Sequence, residues 1–184
     1  SVLNMMANRL LITRSREEFQ YFRPYMLRML GWIRREREKS STDGVSLCKG
    51  LFPVGKGCDW DDVAQFWCTT DAINAGGVLR MAEAFAAFDD PEAQALRDEG
   101  EAYLQILKDI FAEQYQGHEA DVEFMCQHML GVSFEDSERY PHSAIPAYLV
   151  CYGMVGANSH AFAQMETFYR RTGRILENGL TGIM

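Results

Sequence analysis

Between Gly55 and Trp67 the chain reads GKGCDWDDVAQFW, which sets three carboxylates (Asp59, Asp61, Asp62) and two indoles (Trp60, Trp67) in one short run behind paired glycines. Carboxyl groups close together can divide acid–base work, one donating a proton while another activates water. Flat aromatic faces beside them cover the apolar side of a ring-shaped polyol, while acids and amides bond its hydroxyls. The competing reading is a helix start, where aspartate caps free amides and opposes the positive end of the macrodipole. One of the three acids is expected to do only that. Trp60 and Trp67 stand seven apart on one helical face, so one is expected in the core and the other along a cleft.

The element expected to carry this segment is a helix. From Trp60 to Phe88 apolar residues fall at Val63, Phe66/Trp67, Thr70, Ile73, Gly77, Met81, Ala84/Phe85 and Phe88, a sustained 3.6-residue stripe. Thr69, Thr70, Asp71 and Asn74 add a polar series to it. Asn74 suits either a ligand's hydroxyls or a structural hydrogen bond. Gly76-Gly77 in mid-helix costs about 1 kcal/mol per residue against alanine, so close approach by a neighbouring helix is the expected compensation.

Further helices are expected on both sides. SREE, from Ser15 to Glu18, is a capping-box pattern, followed by a stripe of Phe19, Phe22, Met26, Met29 and Ile33 that Pro24 is expected to kink or restart. The basic run RREREK at 34–39 then falls at the helix C-terminus, where cations complement the dipole. Residues 40–58 form a glycine-rich loop with a short extended piece at 46–52. Asp90 and Pro91 open the next helix as cap and first residue, with Leu96, Tyr103, Leu107, Ile110/Phe111 and Tyr115 inward. Shorter helices are expected over 120–130, 144–156 and 160–177. With no alternating pattern of useful length, the fold class is all-α, built from antiparallel helical hairpins.

Composition narrows the function classes. Of 184 residues 47% are hydrophobic, and 18 basic against 26 acidic residues give a formal charge of −8. That charge repels phosphate backbones and anionic lipid surfaces, so neither nucleic acid nor membrane is an expected partner. Cysteines at 48, 58, 68, 126 and 151 form no CxxC and leave an odd thiol in any pairing, which favours free, buried thiols without fixing a compartment. His118, His128, His142 and His160 stand in no ligand spacing, so no metal is expected. No phosphate-binding glycine loop and no nucleophile–histidine arrangement emerges from the separations. The chain starts inside an expected helix, VLNMMANRLLI, and stops at the apolar NGLTGIM, as a piece of a longer protein would.

Three stretches together resemble the six-hairpin glycosidases, the (α/α)6-toroid carbohydrate enzymes. FRPYMLRMLGWIRRERE is similar to an inner helix of that group. GLFPVGKGCDWDDVAQFWCTTDAINAGGVLRMAEAFAAFDDPEAQALRDEGEAYLQILKDIF is similar to the following loop, inner helix and outer helix, and ENGLTGIM to the loop before a later inner helix. The resemblance implies one helical region over residues 1–184, about half of a toroid. It also implies a cleft at the N-terminal ends of inner helices, hydrolysis of glycosidic bonds by a carboxylate pair, and no cofactor. Asp59, in the DW pair, is the first candidate for general acid. Asp62 is the second, because D-x4-W resembles the acid segment of the trehalase-like branch. Asp61 comes third, relatives carrying glycine there. Trp60, Asp61, Trp67, Asn74 and His142 are the candidate substrate contacts, and the partner carboxylate is expected beyond Met184. The expected partners are a carbohydrate and either the remainder of a longer chain or a second copy.

Two other readings remain. A polysaccharide lyase or unsaturated-uronyl hydrolase on the same architecture would draw on Tyr140 and His142, within the helix-opening YPHS. A non-catalytic helical-hairpin interaction module would instead present an apolar groove, with the three acids capping or solvated.

Overall fold

The computed structural model describes residues 1–40, 49–53, 55–56, 64–65 and 68–115. Their fold class is all-α: helices α1 (Val2–Thr13), α2 (Arg16–Ser40), α3 (Cys68–Ala86) and α4 (Ala93–Tyr115). A two-residue antiparallel ladder joins β1 (Gly55–Lys56) to β2 (Ala64–Gln65), pairing Gly55 with Gln65 and Lys56 with Ala64. The helices expected over 120–130, 144–156 and 160–177 lie outside the described residues.

α1 ends because Arg14 turns left-handed at φ 52°, its amide returning to the Leu10 carbonyl. α2 begins one residue past Ser15, whose Oγ accepts the Glu18 amide at 3.2 Å. Only half of the expected capping box forms. The Glu18 carboxylate goes instead to Arg9 (2.6 and 3.1 Å) and to the Thr13 hydroxyl (3.0 Å), clasping α1 to α2. α2 runs through Pro24 without restarting and ends with Arg37 and Lys39 in its last turn.

α3 starts at Cys68, later than the apolar period implies, because Ala64–Gln65 pairs with Gly55–Lys56. At the far end Asp90 Oδ1 accepts the Glu92 amide at 3.0 Å, the expected capping bond. α4 begins at Ala93, however, so Pro91 lies in the turn before it and not at the first helical position. Arg23 from α2 reaches the same turn, bonding Asp90 at 2.7 Å and Glu92 at 2.8 Å. Burial by itself would raise the Asp90 carboxyl; the Arg23 guanidinium and the Glu92 amide outweigh it and hold the group below the ordinary carboxylate range.

The cross-contacts give the layering. Ser1 and Leu3 meet Gly77 and Asn8 bonds Arg80, so α1 and α3 advance in the same direction. Arg23, Arg34 and Arg37 of α2 meet Glu92, Glu99 and Tyr103 in turn, so α2 parallels α4. Two hairpins, α1–α2 and α3–α4, therefore stack with like helices side by side. A Cβ on Gly77 would lie 2.9 Å from Ser1 Oγ and 3.4 Å from Leu3 Cβ, which is the close approach that mid-helix glycine implied. Gly100 plays the same part between α3 and α4, against Leu79.

The core joins Leu3, Ala7 and Leu10 of α1 to Phe19, Met26, Leu30 and Ile33 of α2. Phe19 stacks on Phe88 (centroids 4.5 Å) and meets Phe85 edge-on (5.2 Å). α4 buries Leu96, Tyr103, Leu107 and Ile110, the stripe its sequence implied. On α3 the buried set is broader than expected, with Ala72, Ala75, Val78 and Ala82 joining Met81 and Phe85, while Thr70 faces solvent.

Candidate functional site

Of the residues the sequence singles out, Asn74 is described; Asp59, Trp60, Asp61, Asp62, Trp67 and His142 lie outside the described residues. The Asn74 side-chain amide donates to the Thr70 carbonyl at 2.9 Å, one turn back along α3. That is a structural hydrogen bond, and it turns the amide nitrogen along the helix.

What the described residues do establish is how the acidic segment is tethered. α3 begins at Cys68, six positions after Asp62 and nine after Asp59, with β2 in between. A cap or first-turn acid must lie within a few positions of the helix start. None of the three acids does so for α3, whose first-turn acid is Asp71. On the other side, the chain enters β1 from residues 49–53, which pack into the junction of α2, α3 and α4.

That junction is polar and buried. Asp71, 1% exposed, accepts the Tyr103 hydroxyl at 2.5 Å and the Phe52 amide at 2.9 Å, both on Oδ1. Arg37 lies over the Tyr103 ring, 3.5 Å from its centroid, and its Nε donates to the Gly50 carbonyl at 2.5 Å. Ser40 Oγ sits 2.6 Å from the Leu51 carbonyl oxygen and 2.8 Å from that of Arg37; its single proton serves one of them at a time. Gly50 adopts φ 82°, a left-handed turn that favours glycine, and a Cβ there would also press on Ile106 at 3.2 Å. The Phe52 ring leans on the half-exposed Trp32, with centroids 5.4 Å apart.

Burial dominates the electrostatics of this cluster. It pushes the Asp71 carboxyl up to about 7, although the Tyr103 hydroxyl, the Phe52 amide and the Arg37 charge all favour ionisation. Burial likewise raises the Tyr103 phenol, helped by the Asp71 charge and hydrogen bond, so it stays a donor. The Arg37 guanidinium is lowered by burial, against the favourable charges of Asp71 and Glu99. Sequence reasoning placed Asp71 in a polar series and missed its role. The signal was there, because 71, 75, 78, 82 and 85 form one helical stripe, with the acid at its end. Tyr103, on the apolar stripe of α4, needed a hydroxyl partner once buried.

Among the described residues no group of three or more His, Cys, Asp or Glu side chains is placed to hold a metal ion. No described helix is long and apolar enough to cross a membrane. No protein-family model, no curated protein and no solved structure matches this chain.

Proposed function

We propose that the chain is part of a glycoside hydrolase of the (α/α)6-toroid type, with Asp59 as general acid, Asp62 as the alternative, and Trp60, Asp61, Trp67 and His142 as sugar contacts. The observation that carries the reading is the late start of α3. With β2 between them and the helix, the acids of DWDD have no capping duty on α3, and proton transfer is what their clustering beside indoles then suits. The layering supports it, since stacked hairpins with like helices parallel are the unit from which such a ring is made. Under this reading α1 and α3 are inner helices, α2 and α4 outer. The resemblance by itself implies an inner place for α2, and the pairing of α2 with α4 argues for the outer one. α1 buries Leu3, Ala7 and Leu10 yet exposes Val2, Met5 and Ile12, as an inner helix on the flank of a partial ring would. The chemistry calls for no cofactor.

The test is substitution by asparagine at Asp59, Asp61 and Asp62 in the full-length enzyme, assayed on unactivated and aryl glycosides. Loss of the general acid cuts turnover of unactivated substrates by ~10²-fold or more, and affects good leaving groups less. Loss at Asp62 with full activity at Asp59 moves the assignment to the trehalase-like position. Full activity in all three variants removes the reading.

One observation favours a second reading, the helical interaction module. Tyr21, Tyr25 and Trp32 lie along one exposed face of α2 at 62%, 41% and 49% exposure, with Arg28 stacked on Tyr25 at 4.5 Å. Tyrosine, tryptophan and arginine are the residues that anchor protein interfaces. A chain without glycosidase activity, whose association with a partner is lost on replacing these three aromatics by alanine, would favour the module.

A further inference from the structure

Residues 50–52 lie in no helix or strand, so their backbone groups must find partners elsewhere. Three side chains supply them. The Gly50 carbonyl takes Arg37, the Leu51 carbonyl takes Ser40, and the Phe52 amide goes to Asp71. Arg37 and Ser40 belong to α2, the helix the chain has just left. Asp71 belongs to the helix it enters later, 19 residues on, so the Phe52–Asp71 bond ties the stretch before β1 to the stretch after β2. Tyr103 donates to the same carboxyl oxygen, and so fixes its aim from α4. A carboxyl oxygen, with two lone pairs and no proton of its own when ionised, can take both donors. Among the described residues, the charged or titratable groups that act on the carboxyl are Arg37 from α2 and Tyr103 from α4, and Glu99 acts in turn on Arg37.

We infer that Asp71 is a positioning residue: through the Phe52 amide it fixes where residues 49–53 meet α3, and with that where β1 leaves the helical body. The anchoring stands on these contacts alone; its effect on turnover rests on the hydrolase reading above. Removing the acceptor leaves a part-buried amide and a buried hydroxyl unpaired, and the amide has solvent as its easiest alternative.

The experiment measures amide exchange at Phe52, relative to Leu107 in the core of α4, in the full chain and in Asp71→Leu and Asp71→Asn. Asp71→Leu keeps the branched outline of the side chain and removes the acceptor, so Phe52 exchange rises by about tenfold or more relative to Leu107. Asp71→Asn keeps an acceptor oxygen and brings the ratio back to within about threefold of wild type. Equal acceleration of both amides, or none at Phe52, overturns the inference. Should Asp71→Leu not fold, the wild-type Phe52 amide resonance decides the matter: it moves with pH as Asp71 titrates, and stays still in Asp71→Asn. A resonance that ignores pH in the wild type overturns the inference equally. On a glycoside, Asp71→Leu lowers kcat at least about tenfold, with KM little changed, and Asp71→Asn restores it. Unchanged kcat beside accelerated exchange refutes the bearing on turnover. If the full-length wild type has no glycosidase activity the hydrolase reading falls, and the exchange ratio still decides the anchoring.

Discussion

The Tyr103 hydroxyl and the Asp71 carboxylate meet across the α3–α4 interface at 2.5 Å, and both side chains are almost wholly withdrawn from solvent. A hydroxyl buried in a helical core needs an acceptor and a buried carboxyl needs donors, so each makes the other tolerable. The pair is also where the two hairpins share a contact with the chain leading to β1.

The first prediction follows from the carboxyl being pushed up to about 7 from an ordinary value of 3.8. A raised folded-state pKa means that the folded protein holds a proton the unfolded chain has released. The Asp71 contribution is therefore fully present below 3.8, is lost as pH rises toward 7, and is flat above it. Asp71→Asn keeps the shape without the ionisation. Urea midpoints of the two proteins should separate progressively in favour of Asp71→Asn between those limits. Parallel curves would show that the carboxyl titrates normally.

The second concerns Asp90, whose shift is opposite. Its carboxyl is held below the ordinary range despite burial, so its stabilisation is present above the unfolded value and fades as pH falls through the folded one. Asp90→Ala removes both the cap on Glu92 and the Arg23 partner and should cost about 1–2 kcal/mol at neutral pH. Asp90→Asn keeps the cap, so it should cost less and abolish the acid-side dependence. Thermal melts at neutral and acid pH check both. An Asn variant as unstable as the Ala variant would put the weight on charge rather than capping.

The third sets one substitution against itself. Among the described residues Gly31→Ala in α2 meets only Arg35 Nη1 at 3.5 Å, ordinary contact, so helix propensity should stabilise the protein by about 1 kcal/mol. Gly100→Ala in α4 drives a Cβ to 2.8 Å from Leu79 Cγ and Cδ2 and to 3.1 Å from its backbone nitrogen. There overpacking, at about 1–3 kcal/mol, outweighs propensity and the sign reverses. Chemical denaturation reads both, and two changes of the same sign would contradict the interface.

Most of the described helical frame was legible because 3.6-residue periodicity is local. Phe19, Met26 and Ile33 on α2, and Leu96, Tyr103 and Leu107 on α4, are buried where the stripe put them. The start of α3 was not legible. Val63 and Phe66/Trp67 continue the apolar period upstream, whereas the pairing of Ala64–Gln65 with Gly55–Lys56 depends on hydrogen bonds between distant residues, which no local pattern encodes. Glu18 escaped for a related reason: its reach back to Ser15 lost to Arg9, a competitor nine residues away. As for the candidate site, the types at 55–67 point to a chemistry, but the contacts that tether that stretch come from Arg37, Ser40, Asp71 and Tyr103, residues that read as helix end, polar series and core.

The ladder of Gly55–Lys56 with Ala64–Gln65 sits inside the wider closure made by Phe52 and Asp71, so the stretch carrying Asp59, Asp61 and Asp62 springs from a doubly stapled base. Loop-closure entropy grows only slowly with length, by about 0.6 kcal/mol per doubling. Residues inserted between Lys56 and Ala64 therefore burden the helical body little, since both staples lie outside the insertion. The base is a graft point, at which this frame can exchange the sequence between Lys56 and Ala64 at little cost to the helical body.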